Sequence, residues 1–198
     1  MKMIENRKEY KFVLNNNETK NFLTIFGDKL NVLHPSRTIT SLYFDTVDYQ
    51  LFNNSKLNDT NKMKVRIRTY NNDAKFYKEI KFNDGLGKRK MITDINISSF
   101  NDIKELNEGK LSLIPAVYTS YNREYYIFED LRITVDSKIK FSSHKARSLS
   151  NSKVEFSKSI VEYKLGNNIN EIEKYFFLNP IAFSKYQTAI SKIYNLDC

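Results

Sequence analysis

At 198 residues the chain is about one domain long and can bury a substantial core, and 40% hydrophobic against 28% charged residues marks it as globular rather than disordered. Lys and Arg number 32 against 23 Asp and Glu, a net charge of +9 that points to anionic partners such as phosphates, nucleic acid or an acidic membrane. A lone cysteine, Cys198, argues against a disulfide framework or a cysteine metal site, and neither the charged start nor the interrupted apolar patch at 175–183 reads as a signal peptide or a membrane span; a soluble protein of the reducing cytoplasm is expected.

In chain order, period-two alternation predicts strands at 7–14, 40–45, 63–70, 75–82, 88–97, 122–128, 131–141 and 159–165. Helical spacing appears twice. Residues 18–33 set Phe22, Ile25, Phe26, Leu30 and Leu33 on one stripe, and 184–194 do so with Tyr186, Ala189, Ile190 and Ile193. The NDGLG string at 83–87 reads as the turn of an antiparallel hairpin, and the Ser- and Lys-rich stretch 142–159 as a solvated, mobile loop. No internal repeat is present. So many strands with few helices predict a mainly β, α+β fold: a closed antiparallel barrel with helices packed on its outside, forming a single domain over 1–198.

What alternates is unusual. In 63–70 one face carries Lys64, Arg66 and Arg68 and the other Met63, Val65 and Ile67, because successive strand residues point to opposite sides. The same parity groups Arg7, Glu9 and Lys11; Glu79 and Lys81; Arg132, Thr134 and Asp136; and Glu162 and Lys164. An ordinary amphipathic sheet would turn such faces to water. Taken together, however, the charged faces hold Arg7, Lys11, Lys64, Arg66, Arg68, Lys81, Lys88, Lys90, Arg132 and Lys164 against Glu9, Glu79, Asp136 and Glu162. If they turn inward, that cation excess calls for a bound anion, guanidinium forks suit phosphate oxygens, and a few carboxylates suit a divalent metal bridging them.

The strings RKEYKF (7–12), SLYFDT (41–46), KVRIRTY (64–70), EIK (79–81), KRK (88–90), YNR (121–123), RITVD (132–136), VEYKL (161–165) and FSKYQ (183–187), in this order, resemble the VTC-type polyphosphate polymerase domain of the triphosphate tunnel, or CYTH-like, metalloenzymes. The resemblance spans nearly the whole chain. It implies a tunnel lined by Lys11, Arg66, Arg68, Lys81, Lys88, Arg123, Arg132, Lys164 and Lys185, with Glu162 holding Mn²⁺ or Mg²⁺. Glu9 and Glu79 are either further metal ligands or partners of neighbouring Lys and Arg, with pairing favoured. Arg7 stands where CYTH relatives begin with a glutamate, and Ala182 where the eukaryotic polymerase has a lysine. No SPX domain is seen within these residues.

Ser184 with Gln187 also fits a capping box, which would leave helix N–H groups and Lys185 facing an anion. The activity implied by the resemblance is metal-dependent transfer of the ATP γ-phosphate to a growing polyphosphate chain. Arg66, Arg68, Arg123 and Arg132 would screen the reacting groups, and Lys11, Lys81, Lys88, Lys164, Ser184 and Lys185 would hold phosphates. Charge reversal at Arg68 is then expected to abolish turnover while largely sparing the fold. Two rivals use the same faces: a tripolyphosphatase or nucleoside or RNA triphosphatase with water as acceptor, and a non-catalytic polyanion-binding module; nucleic acid is expected only as a triphosphate end. His34 and His144 have no catalytic or metal-ligand spacing, and Asp45 and Asp48 read as structural caps.

Overall fold

The computed structural model covers residues 8–57, 61–84, 88–145, 153–165, 175–176 and 178–197. Its elements run β1 (Glu9–Leu14), α1 (Asn16–Thr24), β2 (Asn31–Asp45), α2 (Gln50–Lys56), β3 (Asn61–Tyr70), β4 (Phe76–Asp84), β5 (Lys88–Ile95), β6 (Leu106–Glu108), β7 (Leu111–Phe128), β8 (Leu131–Ser143), β9 (Val154–Phe156), β10 (Ser159–Leu165) and α3 (Lys185–Tyr194). Eight strands pair antiparallel along the path β1-β10-β8-β7-β2-β3-β4-β5, while β6 adds to β7 and β9 to β8.

Every expected strand is present, but several are longer than their alternation shows. β2 starts at Asn31 because it tolerates register shifts between Val32 and His34 and between His34 and Arg37, which scramble the period. β7 starts at Leu111, its first half hidden by Pro115, which sits beside another register shift. The helix expected over 18–33 forms only as far as Thr24, and its second half is corrected. α1 ends at Thr24, a single 3₁₀ turn covers Gly27–Lys29, and Gly27 takes the left-handed φ of 54° that stops a helix. The loop expected over 142–159 is also shorter than read, since β8 runs through Ser143 and β9 and β10 take up its far side; residues 146–152 and the 85–87 part of the turn lie outside the described residues.

The sheet is curled. Between β1 and β3 lie five strand spacings of about 4.8 Å, or about 24 Å if flat. Yet Lys11 Nζ of β1 donates to the Phe183 carbonyl at 3.1 Å and Lys64 Nζ of β3 donates to the next residue, Ser184, at 2.9 Å. The two halves of the charged face therefore confront each other across a narrow channel.

The closed barrel is corrected in one respect: among the described residues no ladder joins β1 to β5. The free edge of β1 is instead met by the segment before α3, where Ile181 N–H donates to the Lys11 carbonyl at 2.8 Å. With that edge taken up, β5 is denied the backbone partner that closure requires.

Two hydrophobic clusters cover the convex side. Phe22 and Phe26 from α1 and the turn after it pack on Phe12, Ile133, Val135, Val161 and Tyr163, while Leu42, Phe44, Val65, Ile67, Ile80 and Leu113 form the second cluster. The expectation that helices lie only outside fails for α3. Its Tyr186, Ala189 and Ile190 pack on Ile39, Tyr43, Val117, Tyr121, Ile139, Phe141 and Ile160, which share the concave face with the charges. The concave face is thus apolar at one end, where α3 seals it, and ionic at the other. Asp45 fixes the join between α2 and α3, accepting from the N–H groups of Thr46, Leu51 and Phe52 and from the Tyr186 hydroxyl.

Candidate functional site

Directly paired residues share a face, so the register assembles the channel wall. Glu9 faces Lys164 and Lys11 faces Glu162 between β1 and β10. Lys164 faces Arg132 and Glu162 faces Thr134 on β8, and Asp136 of β8 faces Arg123 of β7. Across the channel, Ser41 and Tyr43 face Arg68 and Arg66, Arg66 faces Glu79, and Lys64, Lys81 and Lys90 form one row over β3, β4 and β5.

Within this wall the carboxylates act as hubs. Glu79, only 2% exposed, accepts from Arg66 Nη2 at 2.5 Å and Nε at 2.8 Å and from Lys90 at 3.0 Å, with Arg68 at 3.7 Å. Tyr43 accepts from Arg66 at 2.8 Å, while Ser41 and Tyr121 accept from Arg68 at 3.1 Å each. These bonds hold both guanidinium groups fixed in the wall, with Arg68 only 4% exposed. Asp136 accepts from Arg123 at 2.5 and 2.7 Å and from Lys185 at 2.5 Å, which ties α3 to the wall. A third group centres on Lys164, whose ammonium lies 3.1 Å from Glu162 and 3.9 Å from Glu9.

The protonation landscape follows from these contacts. Burial by itself would raise Glu79, Asp136 and Glu162, but the cations around them win. Asp136 is held at about 2 by Arg123 and Lys185, and Glu79 and Glu162 lie well below the usual carboxylate range. Several lysines of the wall are lowered as well, which for a lysine favours the neutral form, and Lys90 is lowered even beside Glu79. Burial, followed by nearby Lys11, Arg66 and Lys62, outweighs Tyr43 and pushes Lys64 down to about 8. Lys81 is pushed down to about 7 by burial and then by Arg66, only partly offset by Glu9 and Glu162. Its side chain nonetheless keeps an exposed part.

Glu9 and Glu162 supply hard oxygen donors on adjacent strands, and the buried Thr134 hydroxyl opposite Glu162 has no partner among the described residues. Among the described residues no cluster of three or more His, Cys, Asp or Glu side chains is placed to hold a metal. Two carboxylates beside an unsatisfied hydroxyl fit an ion of the Mg²⁺ or Mn²⁺ kind, which takes the rest of its shell from water and phosphate oxygens.

The expected site residues do not all converge. Lys11, Arg66, Arg68, Lys81, Arg123, Lys164, Glu162, Glu9, Ser184 and Lys185 surround the ionic end of the channel. Arg132 shares that face but stands exposed at the start of β8. Lys88 is placed by register opposite Asn83, with its side chain outside the described residues, as is Arg7. Glu79 proves to be a pairing residue, as favoured. The capping box is only half formed: Ser184 Oγ accepts from Gln187 N–H at 3.4 Å, but the Gln187 amide donates to the Ser55 carbonyl of α2. Tyr43 and Tyr121, which hold the arginines, carried no signal in the sequence because their alternation looks like ordinary core. A shallow surface cavity of about 540 Å³, lined by Ser191, Lys192 and Asn195, lies toward the far end of α3 and contains none of these residues.

A family profile described as VTC domain matches residues 6–96 and 88–194. Solved structures of similar fold include a protein from Pyrococcus horikoshii (13% identity, 93% of this chain and 96% of that one, TM-score 0.57). Others are provisionally assigned adenylate cyclases from Vibrio parahaemolyticus (12% identity, 94% and 98%, TM-score 0.53) and Bacillus halodurans (15%, 89% and 100%, TM-score 0.53). Identities this low bear on the fold alone. A search of curated proteins found no match. No helix among the described residues is long and apolar enough to cross a membrane.

Proposed function

The chain belongs to the VTC domain family, and from that premise we propose that it transfers the γ-phosphoryl group of a nucleoside triphosphate, ATP foremost, to the end of a polyphosphate chain with Mn²⁺ or Mg²⁺ as cofactor. The observation that carries this reading is the confrontation, across one channel, of the Glu79-held Arg66 and Arg68 with the Lys164, Glu162 and Glu9 group. Lys64 and Lys81 lie between them, lowered first by burial and then by neighbouring cations such as Arg66. A polyphosphate oxygen is the missing counter-charge.

The arginines bind and orient. Arg66 and Arg68, fixed by Glu79, Tyr43, Ser41 and Tyr121, would hold the donor phosphates with little side-chain entropy left to lose, and Arg123 and Lys185, fixed by Asp136, would hold the opposite wall. Arg132 extends the cationic track toward one end. Glu162, with Glu9, would hold the divalent ion, which neutralises charge on bridging phosphate oxygens when bound.

Transfer to phosphate is favoured over transfer to water by the state of the carboxylates. Glu79 and Asp136 are held ionised by their cations and are poor proton acceptors, whereas a terminal polyphosphate oxygen attacks as an anion and needs no base. Purified protein incubated with ATP, Mn²⁺ and a short polyphosphate primer should lengthen the primer with matching ADP. Orthophosphate without longer chains would replace the polymerase by a triphosphatase, and binding with neither product would leave a polyanion-binding module.

A further inference from the structure

At the channel end where β2 begins and β3 ends, the ionic wall gives way to rings. The Arg37 guanidinium carbon lies 5.9 Å from the ring centroids of both Tyr70 and Tyr125. Tyr70 meets Tyr77 edge to face at 5.9 Å, and the His34 ring meets Tyr125 edge to face at 5.7 Å. All three tyrosines and Arg37 are half-buried rather than sealed in a core. Tyr70 also lies 5.9 Å from the guanidinium carbon of Arg68, so a single ring separates this rim from the arginine pair held by Glu79.

Charge alone does not account for the arrangement. Arg123 stands directly across the ladder from Arg37 and is neutralised by Asp136, but among the described residues Arg37 has no carboxylate partner and rests on aromatic faces instead. A bare phosphate chain gains nothing from rings. A nucleobase does, since every base has a π face that stacks on tyrosine and on a guanidinium plane.

We infer that Arg37, Tyr70, Tyr77 and Tyr125 form a nucleobase-stacking subsite at the channel mouth, which seats the base of a nucleoside triphosphate while its phosphates run inward past Arg68. This rests on the proposal that the channel binds triphosphates, and it adds why the donor would be a nucleotide rather than inorganic polyphosphate. The subsite makes no use of Arg66, Lys81 or Glu162, so the base and phosphate contributions separate.

The test is isothermal titration, with Mg²⁺ present, of adenylyl imidodiphosphate and of inorganic imidotriphosphate, which share the phosphate chain and differ in the nucleoside. Parent protein is compared with Tyr125→Leu and with Arg37→Gln, the latter a half-buried polar replacement that keeps the variant set usable if the tyrosine change impairs folding. Each substitution should weaken the nucleotide analogue by about tenfold, within the range of base stacking on an aromatic ring, while imidotriphosphate changes by less than about twofold. Parallel loss for both ligands, or no loss for either, would overturn the subsite and leave the phosphate channel standing. Failure of the parent protein to bind imidotriphosphate at all would refute the channel and the subsite with it.

Discussion

Replacing Glu79 by Gln removes one charge at almost constant volume from the most heavily engaged carboxylate in the wall. Its oxygens serve Arg66, Arg68 and Lys90, whose side chains are 14%, 5% and 23% exposed. Uncoupling a buried ion pair by removing one partner costs about 3–5 kcal/mol. Lys90 and Arg66 can turn toward channel water and Arg68 cannot, so the lower end, about 3 kcal/mol, is expected. For a chain of this length about 2–4 °C of melting temperature accompanies each kcal/mol, giving a fall of about 6–12 °C. Inorganic tripolyphosphate should restore more stability to Glu79→Gln than it adds to the parent, because the anion replaces the lost counter-charge. The folded Glu79 carboxyl lies below its unfolded value, so its contribution is present above about pH 4.3 and fades as pH falls through the folded value; the gap between parent and variant should close in acid. Thermal and urea unfolding with and without tripolyphosphate read all three effects. A variant within about 0.5 kcal/mol of the parent at pH 7, or one gaining no extra stability from tripolyphosphate, would refute the account of Glu79 as the clamp on Arg66 and Arg68.

Further outcomes follow from the same contacts. Lys64 and Lys81, at about 8 and about 7 in the free protein, should be raised by a bound polyanion, so binding near pH 8 takes up protons and weakens as pH climbs from 7 to 9; titrations in buffers of different ionisation enthalpy count the protons. Glu162→Gln should abolish the dependence of tripolyphosphate binding on Mn²⁺ while leaving metal-free binding intact or stronger, as read by the free Mn²⁺ resonance signal. Asp45→Asn should cost about 1–3 kcal/mol in denaturant unfolding, since one side chain serves the N–H of Thr46, two N–H groups of α2 and the Tyr186 hydroxyl on α3. Arg68→Glu, expected from parity to spare the fold, instead sets a second carboxylate beside Glu79 at a site 4% exposed and should unfold readily; Arg68→Gln is the usable probe, and retained phosphoryl transfer in that variant would count against its role.

Which face each charged residue occupies was legible without coordinates. Strand parity alone put Lys64, Arg66 and Arg68 together, and likewise Glu162 with Lys164 and Arg132 with Asp136, because a pleated strand alternates faces whatever it pairs with. Arg123 was different. Its strand alternates too weakly to assign a face, so only the family resemblance pointed to it until β8 brought Asp136 opposite it.

The amino-acid order by itself determined a mainly β fold in which several strands carry one charged and one apolar face, because those properties depend on local period and composition. Tertiary structure alone decided three things: that Ile181 takes up the edge of β1 and leaves the sheet open, that α3 seals the concave side rather than the convex one, and which cation each carboxylate neutralises. Each depends on groups far apart in the chain, Lys185 with Asp136 and Ser184 with Lys64 among them. A period confined to one strand carries no information about which distant strand or helix the curl of the sheet will bring within a side chain's reach.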